Sequence, residues 1–218
     1  MAPEVNENSF MMAGARTLSE NERRQRVLEA AVELFSEQTW EGTNVPAIAE
    51  RAGVAVGTIY RHFPSKEALG AAVYAAMKQA FMDAVLTDEV RALPPLPAIR
   101  LIWQRQLAFA IEQPGVFAFL EHQQHSGYLD DEGRAVLTRL DAELGEIIRA
   151  GQQAGVVRDG DPQVLLSMVF GAFVGVTKLA RARSVPLATF DLAAVERAAA
   201  ALLGLPDAEP GKGAASPA

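Results

Sequence analysis

The chain has 218 residues, half of them apolar, which is enough for a sizeable core in one or two domains and too apolar for general disorder. It has no cysteine, so disulfides, thiolate metal sites and thiol nucleophiles are excluded, and a reducing cytoplasm is the expected setting. A formal net charge of −7 means that any nucleic-acid binding must come from local basic groups and not from the charge of the whole.

In chain order, residues 1–18 are expected to form a flexible arm with no basic-then-apolar leader pattern. Ser19 with Glu22 is a capping-box pair that starts a first helix. Val27, Ala30, Ala31, Leu34 and Phe35 then form one apolar stripe, while Glu29, Glu33 and Glu37 share the solvent face. Arg16, Arg23, Arg24 and Arg26 read either as a solvated basic stretch or as an arm and helix end near phosphate. Thr43 or Asn44 caps a second helix with Pro46 in its first turn. Gly53 turns the chain, because only glycine takes positive φ without steric cost. A short third helix runs from about Val56 to His62, and Pro64 breaks it. Ser65 caps a long fourth helix through Leu69, Val73, Met77 and Phe81.

After the break at Pro94, Pro95 and Pro97, helical patterns cover Ile99 to Gln113, Val116 to His125, Asp131 to Gln153, Pro162 to Arg183 and Thr189 to Leu203. The tail over 206–218 is expected to be disordered. The apolar run Val164 to Val176 is expected to be too short for a bilayer, so no membrane partner is expected. The fold class is all-α, with about nine helices.

Ala49 to Phe63 has the form of a helix-turn-helix, whose second helix enters the major groove of DNA. Ile59 and Phe63 repeat on its buried face. Thr58, Tyr60, Arg61 and His62 can offer hydrogen bonds to phosphate or base edges. Taken alone, Tyr60 also fits a core aromatic and Thr58 a plain surface residue. With E-R-R-Q-R-V-L-E-A-A-V-E-L-F before it and Y-R-H-F-P-S-K-E-A-L at its end, the segment from Asn21 to Leu69 strongly resembles the DNA-binding domain of TetR/AcrR-family transcriptional regulators. The resemblance implies that Thr43, Tyr60 and Lys66 contact phosphate. It also implies that Gly57 lies closest to the duplex and that Thr58, Arg61 and His62 are contact positions. Where Ala55 and Val56 stand, the family often has polar residues. The helix is therefore expected to lack a side-chain cap, and Val56 to pack on a thymine methyl. Arg61 is the best candidate for a bidentate contact with guanine.

The resemblance divides the chain into an arm over 1–18, a DNA-binding domain over 19–66, a ligand-binding and dimerisation domain over 67–205, and the tail. It implies a homodimer through the last two helices, here by Gly171, Phe173, Gly175, Leu192, Val195, Ala199 and Leu202. It also implies a ligand cavity, for which Met77, Phe81, Trp103, Leu107, Phe117, Leu140, Phe170 and Phe173 are wall candidates and His122 and Tyr128 polar ones. The same aromatic faces also fit plain core. His122 and His125, three apart, can share a face and bind a metal with Asp130, or form a polar helix end. No catalytic motif, cofactor or resident metal is expected. The expected function is a cytoplasmic, dimeric repressor released from a palindromic operator by a small, largely apolar ligand. A DNA-binding dimer without a small-molecule ligand is the alternative.

Overall fold

Local capping signals set most of the helix starts. In the computed structural model, which describes residues 19–206 except 124 and 126, Ser19 and Glu22 close a reciprocal capping box at the start of α1 (Glu20–Glu37). The expected arm and nearly all of the expected tail lie outside the described residues. Asn44, and not Thr43, caps α2 (Val45–Ala52), accepting a hydrogen bond from the Ala47 N–H at 2.9 Å. Gly53 then turns the chain at φ 67° and ψ 36°. A Cβ there would meet nothing within 4 Å, so backbone conformation is what calls for glycine. α3 (Val56–His62) follows without a side-chain cap at Ala55, and Ser65 caps α4 (Lys66–Val85).

The remaining helices are α5 (Asp88–Ala92), α6 (Pro95–Glu112), α7 (Pro114–His122), α8 (Asp131–Gln153), α9 (Pro162–Ala182) and α10 (Leu192–Leu203), with one 3-10 turn at Leu187–Thr189. The described residues form no strand, and the all-α class holds with ten helices. The expected count missed α5, a five-residue helix capped by Thr87. The expected start of α6 was late, because its prolines sit in the first turn, where a missing N–H costs nothing. α9 corrects a further expectation: its 21 residues, with mean hydropathy 1.6 over the most apolar window, are long and apolar enough to cross a bilayer. Only 22% of that window is buried within the chain.

One apolar core runs through both expected domains. The α1 stripe, Val27 to Phe35, is buried as expected, and Phe35 stacks on Phe119 of α7 at 5.5 Å. α4 is the central element and packs against α1, α6, α7 and α8. α9 and α10 lie together on the side away from α3, and a small second cluster of Ile148, Val157, Leu165 and Leu203 ties them to α8.

Candidate nucleic-acid interface and the cavity behind it

α3 buries one side and shows the other. Ile59 and the following Phe63 are buried, while Val56 is 38% and Tyr60 49% exposed. Gly57 and Arg61 are also exposed, and Thr58 is half-buried. Exposure at this level decides against Tyr60 as a core aromatic. An exposed valine and tyrosine on a seven-residue helix, beside an arginine, form a surface suited to base methyls and phosphates.

The cationic side chains expected to meet DNA already have partners. Arg61 presents Nε to Glu20 Oε1 at 3.0 Å and Nη2 to Glu20 Oε2 at 3.3 Å. His62, with only 9% of its side chain exposed, places Nε2 at 3.3 Å from Glu20 Oε1. Lys66 was expected to reach a phosphate, yet its ammonium donates to the Trp40 carbonyl at 2.6 Å and lies 4.4 Å from the Trp40 ring centre. Thr43 is buried, and its hydroxyl donates to the Thr39 carbonyl at 3.1 Å. Of the basic stretch, Arg16 lies outside the described residues, Arg23 pairs with Glu20 at 3.2 Å, and Arg24 lies over the Phe63 ring. Glu33 and Glu37 of the acidic α1 face engage Arg51 of α2 at 2.9 and 3.4 Å.

Behind this interface lies a cavity of about 800 Å³ between α4, α6, α8, α9 and α10, within the size range of small-molecule sites. Of the ten expected ligand residues, Phe81, Trp103, Leu140 and Phe170 line it. Met77 and Leu107 pack in the core, and Phe117 and Phe173 stand one layer back, with Phe173 edge-on to Trp103 at 5.3 Å and to Phe117 at 5.5 Å. The polar candidates also lie outside the lining: His122 bonds Thr177 at 3.0 Å, and Tyr128 stacks on Trp40 at 4.4 Å.

The walls are mostly aliphatic, with Leu144, Ile147, Leu166 and Val169 among them. Unexpected polar groups interrupt them. Lys78 and Glu121 form an ion pair at 2.6 Å with 5% and 12% of their side chains exposed, and the buried Gln106 amide lines the same space. The indole N–H of Trp103 is buried without a hydrogen-bond partner. Arg100, six residues from Gln106 along α6 and roughly 9 Å away, and Glu196 and Arg197 of α10 also line the cavity. Nothing in the local pattern pointed to the Lys78–Glu121 pair, whose members are 43 residues apart.

A chain of contacts joins the cavity to Lys66, the first residue of α4, four residues after α3 ends. Tyr74 lines the cavity, and its ring lies 4.6 Å from that of His125. The Phe119 carbonyl accepts from His125 Nε2 at 2.7 Å, which leaves Nδ1 to accept from the Tyr128 hydroxyl. Tyr128 stacks on Trp40, which holds Lys66 and donates its backbone N–H to Gln123 Oε1 at 3.1 Å. Burial lowers the pKa of His125, and the Phe119 carbonyl opposes it in part. Burial likewise raises Tyr74 and Tyr128 and lowers His122. These contacts engage the side chains of the metal reading elsewhere. His122 and His125 each have other partners, Asp130 caps α8, and no group of three or more metal-binding side chains occurs among the described residues.

The expected dimer residues divide. Nothing lies within 4 Å of a Cβ built on Gly171 or Gly175, and Val164, Met168 and Leu179 are exposed on the same helix. Leu192, Val195 and Leu202 are half-buried on α10. Phe173 and Ala199, 1% and 2% exposed, face the interior of the same chain, so neither can contribute to an intersubunit face here.

Residues 27–73 match the family model described as bacterial regulatory proteins, tetR family, and residues 79–201 match the tetracyclin repressor-like C-terminal domain. The regulator RutR of Escherichia coli strain K12 is 27% identical over 173 residues, 77% of this chain and 80% of RutR. The repressor KstR of Rhodococcus jostii is 52% identical over 48 residues, 22% of this chain, and the chain spans only 23% of the length of KstR. Among solved structures, a tetR-family regulator from Shewanella superposes with a TM-score of 0.66 at 27% identity, covering 83% of this chain and 95% of that one. FadR of Bacillus subtilis, solved with stearoyl-CoA, gives a TM-score of 0.68 at 21% identity, covering 84% and 99%.

Proposed function

The chain belongs to the tetR family of bacterial regulatory proteins, as a transcriptional regulator and not an enzyme, and from that premise we propose that it is a homodimeric repressor of the cytoplasm that leaves a palindromic operator when a small, largely apolar ligand fills the cavity. The observation that carries this reading is the continuity of α4. Its first residue, Lys66, four residues after the end of α3, braces the Trp40 loop, and about two to four turns on Tyr74, Lys78 and Phe81 line the cavity. A ligand that favours a displaced α4 moves the brace and the chain of rings with it. It shifts the equilibrium only by its difference in affinity for the two states. Two α3 helices then no longer match successive major grooves about 34–36 Å apart.

The uncovered face of α9 supports the dimer. Val164, Met168 and Leu179 offer apolar surface, and the open Gly171 and Gly175 allow a second helix to approach closely. Lys178 and Arg181 lie in the same helix and suit an aqueous interface better than a bilayer. The reading assigns Val56, Thr58 and Arg61 to bases, with Gly57 at closest approach. Thr43, Tyr60, His62 and Lys66 are assigned to phosphate, which requires Thr43 to leave the Thr39 carbonyl and the internal partners of His62 and Lys66 to exchange.

Selection of bound duplexes from a random library, repeated across salt concentrations, tests the DNA half. A palindrome with one-turn half-site spacing is expected, and Tyr60→Ala weakens all sequences alike with little change in the salt slope, because the phenol it removes is uncharged. Recovery of no preferred sequence sinks it. A thermal-shift screen of apolar compounds, followed by operator release, tests the ligand half.

A further inference from the structure

We propose that Glu20 is a built-in competitor for DNA that attenuates operator affinity by occupying the groups of α3 that would read it. The proposal rests on α3 being the DNA-reading helix. Arg61 lays two donors of its planar fork, Nε and Nη2, on the two oxygens of Glu20 at 3.0 and 3.3 Å. Those are the donors, in the same side-by-side geometry, that guanine O6 and N7 or two phosphate oxygens take. The same carboxylate also pairs with Arg23 of α1 at 3.2 Å, and His62 Nε2 lies 3.3 Å from it without a hydrogen bond, so two guanidinium groups converge on one anion beside α3.

Glu20 comes from 41 residues away, at the first position of α1, where the positive end of the helix favours a carboxylate. It is not sealed in: 53% of its side chain and 57% of that of Arg61 are exposed, so DNA can reach and displace the pair. Binding therefore exchanges one anion for another at Arg61 and leaves a freed carboxylate facing phosphates. Both steps weaken the complex. An attenuated complex is one that a modest preference of ligand for the released state can dissociate.

The test compares Glu20→Gln, Arg61→Gln and the double variant by fluorescence anisotropy on a duplex recovered by selection and on an unrelated duplex. Glu20→Gln keeps the Ser19–Glu22 capping box, and melting curves confirm that each variant folds. An exposed pair of this kind is worth about threefold per subunit. Glu20→Gln should therefore tighten operator binding by about tenfold per dimer and steepen the salt slope by about 1 for each subunit. In the Arg61→Gln background the tightening should shrink to about twofold or threefold, because only the carboxylate's repulsion of phosphate remains and the competition for Arg61 is gone. Unchanged or weaker binding by Glu20→Gln overturns the proposal. Equal tightening with and without Arg61 also overturns it, since that is a general effect of charge. Loss of the underlying reading looks different: Tyr60→Ala and Arg61→Gln would then leave binding unchanged.

Discussion

Breaking the Lys78–Glu121 pair tests how the cavity wall is held. In Glu121→Leu the Lys78 ammonium, 5% exposed, keeps the Phe81 ring at 5.2 Å and the Phe170 ring at 5.9 Å but loses the carboxylate that pairs with it. Removing one member of a buried pair costs about 3–5 kcal/mol, because the other charge is left desolvated. A whole domain has only about 5–15 kcal/mol, so the variant is expected to lose a large share of its stability. Replacing both members, Lys78→Met with Glu121→Leu, removes the desolvation cost together with the attraction and should fall within about 1 kcal/mol of the parent or exceed it. Urea titrations at fixed protomer concentration, followed by far-ultraviolet circular dichroism, give both values. A single-variant loss below about 1 kcal/mol, or a double variant no better than the single ones, would refute the reasoning.

Three other perturbations have definite expected outcomes. Gly70→Ala places a Cβ 2.4 Å from the Trp40 ring, so the indole must move off Tyr128 and Lys66; a loss of about 1–3 kcal/mol is expected, and a melting curve that does not shift contradicts it. Burial holds the pKa values of His122 and His125 below the ordinary 6.5, so the unfolded chain takes up protons first as pH falls. Stability should be full well above the ordinary histidine pKa of 6.5 and decline as pH falls through it, and His122→Gln with His125→Gln should flatten that decline. Gly171→Glu sets a charge on the open face of α9 without a clash inside the chain. Light scattering should show a shift to monomer with helix content retained, and a dimer of unchanged stability would place the interface elsewhere.

Most helices, the turn between α2 and α3 and the burial of Ile59 and Phe63 against the exposure of Tyr60 and Arg61 were legible in the chain alone. Those features rest on signals within a few residues of one another. Ser19 with Glu22, Pro162 after Asp161, the positive-φ Gly53 and the 3.6-residue stripe on α1 each act locally and read the same in any fold. Even α5 had its signal, in Thr87 and the acids after it, but was too short for periodicity to register. Apart from the helix caps, the partners of the polar side chains that matter most at the site were set by tertiary packing. Lys66 turned from phosphate to Trp40, Arg61 to Glu20, and Lys78 to Glu121, across 26, 41 and 43 residues. The cavity shows the same division. Phe81, Trp103 and Phe170 line it while Phe117 and Phe173 stand behind, although all five lie on apolar faces of their own helices. Which part of an apolar face meets space and which meets another helix depends on how neighbouring helices rotate and cross. That is a property of the packed whole, and no window of the chain contains it.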